Sequence, residues 1–292
     1  MTNILITEFM NEESVKTLKK NFNVKYDKNL FQNEKKIKEE ISNFEAIIVR
    51  NKTQLQKTVL DEAIKLKFVG RLGVGLDNID KEYCNKKNIH IQIASGINAD
   101  SVAEYVIGSS LHLIKNITLF NYETKKGMWP RSSFNSRELK EKIFGLIGFG
   151  AIGKKVCKIA QSFGAKVITY DPYVDKKIEN EFNLKFMPFD DVISNSDIIS
   201  IHVPLNNETK NLINTNVFKK MSKRPILINT SRGSVVNEED LINAYKNKFI
   251  SGFALDVFEN EPVDEKFYSK YPEEWSDISF EVVDKIILMN NY

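Results

Sequence analysis

Only two cysteines and three histidines occur in the 292 residues, and no apolar run approaches the length of a membrane span. Cys84 and Cys157 lie far apart in helical patterns, and neither belongs to a CxxC or a Cys/His cluster. That argues against a disulfide framework and against a metal site, and reads both as small buried hydrophobes. The chain enters a strand pattern at once (Asn3-Ile4-Leu5-Ile6) with no charged-then-apolar leader, so the expected compartment is the cytoplasm. Neither sign of charge is in excess: 42 Lys and Arg against 39 Asp and Glu leave +3. That balance is too mild to imply a nucleic-acid or membrane partner. Runs such as Lys35-Lys36-Ile37-Lys38 read as solvated helix faces.

What is present is a repeated alternation of short apolar strands and amphipathic helices. The first strands are Ile4–Thr7, Val24–Tyr26, Ala46–Val49, Phe68–Leu72 and Ile89–Ile93, with helical patterns at Glu13–Asn21, Glu34–Ile41 and Leu55–Lys65. Repeated βα units imply a parallel sheet covered on both faces. A longer helical pattern then runs from Ala99 to about Phe120, with Asn98 as a candidate N-cap. After a polar connector around Gly127–Arg137 the alternation restarts, with strands at Ile143, Val167–Tyr170, Ile198–His202, Ile226–Asn229, Gly252–Asp256 and Ile286–Leu288. The expected fold is α/β, two doubly wound parallel-sheet domains, with a ligand crevice between them.

The second set opens on Gly145-Leu146-Ile147-Gly148-Phe149-Gly150-Ala151-Ile152-Gly153, followed by a helix and then by Val167-Ile168-Thr169-Tyr170-Asp171. Strand, glycine turn, helix, second strand and a terminal acid form the dinucleotide-binding βαβ signature. Gly148 permits the tight turn, Gly150 lets backbone approach a pyrophosphate, and Gly153 lets helix pack on strand. The helix N-terminus offers N–H groups and a positive dipole end to phosphate. Asp171 accepts from ribose hydroxyls and repels a 2′-phosphate, and Pro172-Tyr173 brings no arginine to hold one, so NAD is favoured over NADP. The alternative for Asp171 is an ordinary solvated strand-end acid.

Three further segments sit where chemistry is expected. Asn229-Thr230-Ser231-Arg232-Gly233 and Asp256-Val257-Phe258-Glu259-Asn260-Glu261-Pro262 follow strands of the nucleotide-binding set. Arg232 there suits a carboxylate, although a domain-bridging salt bridge would look the same. Asp256 and Glu261 also read as plain loop carboxylates. Arg71-Leu72-Gly73-Val74-Gly75-Leu76-Asp77-Asn78-Ile79-Asp80 frees backbone N–H groups for an anion nest, or is a simple strand-to-helix turn.

Taken together these segments resemble the D-2-hydroxyacid dehydrogenase family, which includes D-lactate and D-3-phosphoglycerate dehydrogenases. The likeness runs from about Val49 to Pro262 and includes Asn98-Ala99-Asp100-Ser101-Val102-Ala103-Glu104 and His202-Val203-Pro204-Leu205. It implies a flavodoxin-like substrate domain over 1–97, whose C-terminal return segment is missing, and an inserted NAD-binding Rossmann domain over 98–292. It also implies a homodimer crossing through the helix near Asn98. Carried over by position, NAD contacts fall on Gly148, Gly150, Ala151, Ile152, Gly153 and Asp171. Val203, Pro204 and Thr209 flank the adenosine side, and Thr230, Ser231, Arg232 and Asp256 lie toward the nicotinamide. Arg232 would hold the carboxylate of a 2-hydroxy or 2-keto acid, with Val74 and Gly75 as the nest and Arg50 nearby. Glu261 matches the acid that orients the catalytic histidine.

That histidine, in a Thr-Pro-His sequence after the last strand, has no counterpart here. His90, His112 and His202 stand elsewhere, and alignment of Ile286-Ile287-Leu288 sets Asn291 in its place. An amide does not titrate near neutrality and cannot serve as general acid or base. Three expectations follow: a truncated or frameshifted form of an active dehydrogenase, an inactive NAD-binding regulatory or subunit protein, or a proton supplied by another residue.

Overall fold

The computed structural model describes residues 1–129 and 137–260, in two compact units, Met1–Asn98 and the part from Ala99 onward. In the first unit, β1 (Asn3–Ile6), β2 (Asn23–Tyr26), β3 (Ala46–Val49), β4 (Phe68–Arg71) and β5 (His90–Ile93) form a parallel sheet in the order β2-β1-β3-β4-β5. This is the flavodoxin-like doubly wound order. Helices α1 (Glu12–Lys19), α2 (Glu34–Ile41), α3 (Lys57–Leu60) and α4 (Lys81–Lys86) connect the strands. Side chains alternate across β1: Ile4 and Ile6 pack with Val15 and Ala46, while Leu5 packs with Ile37, Ile41, Ile47 and Val69. Both faces are apolar, so both are covered.

The second unit holds α5 (Ala99–Lys115), α6 (Ile117–Lys125), β6 (Ile143–Ile147), α7 (Ala151–Ser162), β7 (Lys166–Tyr170), α8 (Glu179–Phe182), β8 (Lys185–Phe186), α9 (Phe189–Asn195), β9 (Ile198–Ile201), α10 (Thr215–Phe218), β10 (Ile226–Asn229), α11 (Glu238–Lys246) and β11 (Gly252–Leu255). Its parallel sheet runs β11-β10-β9-β6-β7-β8, the dinucleotide-binding order in which the winding reverses between β6 and β9. Phe144 and Leu146 of β6 pack with Val106, Val156 and Ala160 on one face, and Ile147 joins Ile193, Ile201 and Leu241 on the other.

Two expectations are corrected, and one element is added. The long helix from Ala99 is two helices, because Asn116 adopts a left-handed conformation (φ 51°) that breaks the hydrogen-bond ladder. The helix expected over Leu55–Lys65 is the four-residue α3. Leu55 is drawn out of it by a bridge to Ile79, its N–H donating to Asn78 O at 2.8 Å and its carbonyl accepting from Asp80 N at 3.0 Å. The two-residue β8 went unread. The strand expected at Ile286–Leu288, and most of the connector before Arg137, lie outside the described residues. Both cysteines are free and buried, and among the described residues no helix is long and apolar enough to cross a membrane.

Candidate active site

The glycine turn follows β6, where the sheet order reverses. Gly148 has φ 98° and donates its N–H to Tyr170 O at 2.8 Å. A Cβ there would stand 2.5 Å from the carbonyl oxygen of His202, and one on Gly153 would stand 2.5 Å from that of Gly148. Both positions therefore require glycine to bring α7 against the turn. Gly150 differs, since a Cβ would meet nothing within 4 Å. It begins α7 with no side-chain cap, so the first-turn N–H groups of Ala151 and Ile152 remain available to an anion. The open space and the uncapped helix end fit a dinucleotide pyrophosphate.

Asp171 stands one residue beyond β7. Its carboxylate accepts the Phe149 N–H at 2.8 Å and the Tyr173 N–H at 2.9 Å. It therefore fixes the glycine turn while keeping lone pairs for a ribose. Asp171→Ala is expected to bring NADH and NADPH affinities close together and to lower stability by about 1–3 kcal/mol, because two N–H groups lose their acceptor. Parallel NADH and NADPH titrations with a melting curve check both effects.

The carboxyl ends of β9, β10 and β11 lie along the same sheet edge. Val203 and Pro204 follow β9, and Thr209 Oγ1 closes this loop on Pro204 O at 2.5 Å. After β10, buried Asn229 builds the next loop: its Oδ1 accepts from Ser231 N at 3.1 Å and Ser231 Oγ at 2.7 Å, and its Nδ2 donates to Arg232 O at 2.9 Å. Arg232 donates to Ser231 O at 2.6 Å. Thr230 Oγ1 is buried without a hydrogen-bond partner among the described residues. A hydroxyl left so at this edge fits a ligand contact. Asp256 follows β11, and its N–H donates to Asn229 O at 3.0 Å. Facing it is Tyr105 of α5, whose phenol is kept protonated, well above its ordinary range, by burial and then by the Asp256 carboxylate. Glu261 lies outside the described residues.

In the first unit the loop after β4 leaves the N–H groups of Val74 and Gly75 with no protein acceptor among the described residues, which suits an anion nest. Arg50 follows β3 and is exposed. Its loop is held by a residue the sequence reading missed. The buried carboxylate of Glu8 accepts from Arg50 N at 2.8 Å, Lys52 N at 3.1 Å and Thr53 N at 2.9 Å. Burial alone would raise its pKa, but these donors together hold it below the usual carboxylate range. Asn78 Nδ2 completes the clamp, donating to Arg50 O at 3.0 Å and Thr53 O at 2.7 Å.

Of the three histidines only His202 stands at this sheet edge. His90 stacks on Phe68 in the first unit, with ring centroids 5.6 Å apart. His112 lies within α5. His202 bonds Ser200 Oγ at 3.0 Å, and burial pushes its pKa down to about 3.

Residues 107–273 match the family model described as D-isomer specific 2-hydroxyacid dehydrogenase, NAD binding domain. The chain is 34% identical over 269 residues to the (S)-sulfolactate dehydrogenase of Chromohalobacter salexigens, a match covering 90% of this chain and 85% of that protein. It is 35% identical over 263 residues to the D-3-phosphoglycerate dehydrogenase of Methanocaldococcus jannaschii, covering 90% of this chain but only 50% of that longer protein. Among solved structures, the D-lactate dehydrogenase from Aquifex aeolicus complexed with NAD and lactic acid is similar at TM-score 0.78 and 28% identity, covering 99% of this chain and 86% of that one. These matches bear out the expected family, the α/β fold and NAD as cofactor. The chain belongs to the D-isomer specific 2-hydroxyacid dehydrogenase family, whose NAD-binding domain it carries.

Proposed function

We propose that this chain interconverts a D-2-hydroxy acid and a 2-keto acid, with 1–97 as substrate domain and 98–292 as nucleotide domain. The observation that carries the reading is the convergence of the glycine turn, Thr230-Ser231-Arg232 and Asp256 on one edge of one sheet. NAD, when bound, supplies the hydride acceptor or donor. The first turn of α7 and Asp171 hold the cofactor's phosphates and ribose, while Val203, Pro204 and Thr209 line its adenosine side. Thr230, Ser231 and Asp256 orient the nicotinamide end. Arg232 binds the acid's carboxylate and polarises its C2 oxygen, as a planar guanidinium does through two parallel bonds. Val74, Gly75 and Arg50 are the proposed first-domain contribution to acid binding. By the same family likeness the proposed assembly is a cytoplasmic homodimer.

Proton transfer is the weak step. Glu261 is proposed as the acid that orients the family's histidine, whose position in the sequence alignment falls on Asn291, an amide that cannot act as general acid or base near neutrality. General acid–base catalysis contributes about 10²–10⁴-fold, so turnover is expected well below the roughly 1–10³ s⁻¹ usual for enzymes. The amide aligned with the family's histidine favours a second reading, an NAD-binding regulatory subunit without turnover. Following NADH absorbance with keto acids that do and do not carry a second acidic group separates the two. Slow, saturable oxidation supports the first, and rapid oxidation contradicts the impaired proton step. Arg232→Lys is expected to raise the keto-acid KM about 10–100-fold, the equivalent of about 1.5–3 kcal/mol for one charge-assisted contact. NADH affinity should change little.

A further inference from the structure

Arginine is scarce in this chain: Arg50, Arg71, Arg131, Arg137, Arg224 and Arg232 are all it has among 42 basic residues. Arg50, Arg71 and Arg232 lie at the carboxyl ends of strands, and Arg131 is outside the described residues. The other two, Arg137 and Arg224, meet at a cavity of about 240 Å³ that they line with Lys142, Lys223, Asp197 and Ser251, together with apolar residues of α5 and the sheet. Lys142, Asp197, Arg224 and Ser251 stand just before β6, β9, β10 and β11. The cavity therefore opens at the amino edge of the sheet, opposite the glycine turn.

Its electrostatics are one-sided. One oxygen of Asp197 accepts the Ile143 N–H at 2.8 Å, and the carboxylate reaches Lys142 and Lys223 only at 3.8 and 4.0 Å. Arg137 and Arg224 have no ion pair among the described residues. Four cations thus share one carboxylate in a concave site, an arrangement that concentrates anions. Arg224 also holds a left-handed backbone (φ 52°) that suits glycine and disfavours an arginine.

We propose that this cavity binds the phosphoryl group of a small phosphorylated molecule. Two guanidinium forks and two ammonium groups match a tetrahedral dianion, since arginine engages phosphate bidentately and lysine as a point charge. The apolar wall leaves room for the ligand's organic part. This site is independent of the dehydrogenase reading.

Calorimetry with glycerol 3-phosphate, on full chain kept saturated with NADH to occupy the dinucleotide turn, tests it. Saturable binding is expected, weakened about tenfold or more in Arg137→Gln and in Arg224→Gly. Arg224→Gly is also expected to raise the melting temperature of the ligand-free protein, because glycine relieves the left-handed strain. Loss of binding in a variant that melts higher cannot come from misfolding. No binding to the wild-type chain, or undiminished binding in the double variant, overturns the proposal.

Discussion

Gly150→Val is expected to leave the fold intact and to abolish useful NADH binding. The backbone at Gly150 (φ −77°, ψ −156°) is open to any L-residue, and a Cβ there meets nothing within 4 Å. The isolated protein therefore has no reason to reject a side chain at this position. The cofactor does, because the isopropyl group would occupy the space through which a pyrophosphate reaches the first turn of α7. Hydrogen bonds to charged groups contribute about 1.5–3 kcal/mol each, so losing one or two weakens binding by roughly 10- to 10³-fold or more. Gly148→Ala makes the contrast. At φ 98°, with His202 O 2.5 Å from the new Cβ, it strains the apo fold by about 1–3 kcal/mol before any ligand is added. Melting curves and NADH titrations on the two variants should separate a binding glycine from a folding glycine. An unaltered NADH affinity in Gly150→Val would contradict the assignment of the pyrophosphate site.

Gly233→Ala is expected to be the most damaging single methyl group in the second unit. Its Cβ would overlap the carbonyl of Phe258 and the backbone nitrogen of Glu259. Neither is the far end of a flexible side chain, so the chain after β11 must move. Phe258 is buried in the core with Leu255, Val235 and Leu241, and shifting it disturbs that packing as well. Overpacking costs about 1–3 kcal/mol and sometimes more. In a unit of this size that lowers the melting temperature by roughly 2–12 °C. The backbone of Arg232 and Asp256 should move with it, so keto-acid KM and NADH affinity are expected to worsen together. A variant that melts like the wild type would show that the two loops are not packed as described.

The parts legible in the sequence were those fixed by local rules. Gly148 and Gly153 announce themselves because no other residue tolerates their positions, and Asp171 because a strand ends one residue before it. Among the described residues, alternation and apolar runs located every strand but β8, since two residues carry no period. The break at Asn116 was hidden by the apolar rhythm of Leu113, Ile114 and Ile117, which continues through it. Glu8 was invisible for a different reason. In Thr7-Glu8-Phe9 it reads as a surface acid, and only the arrival of Arg50, Lys52 and Thr53, more than 40 residues away, makes it a clamp. Tyr105 was missed likewise, because its neighbour Asp256 comes from the far end of the described chain.

Incubating the chain with NADH deuterated at the transferable C4 position and a 2-keto acid, then recovering the product, tests hydride transfer directly even when turnover is slow. The expected product is the D-2-hydroxy acid carrying deuterium at C2. A product of L configuration, or no deuterated hydroxy acid after prolonged incubation with bound cofactor, would contradict the account.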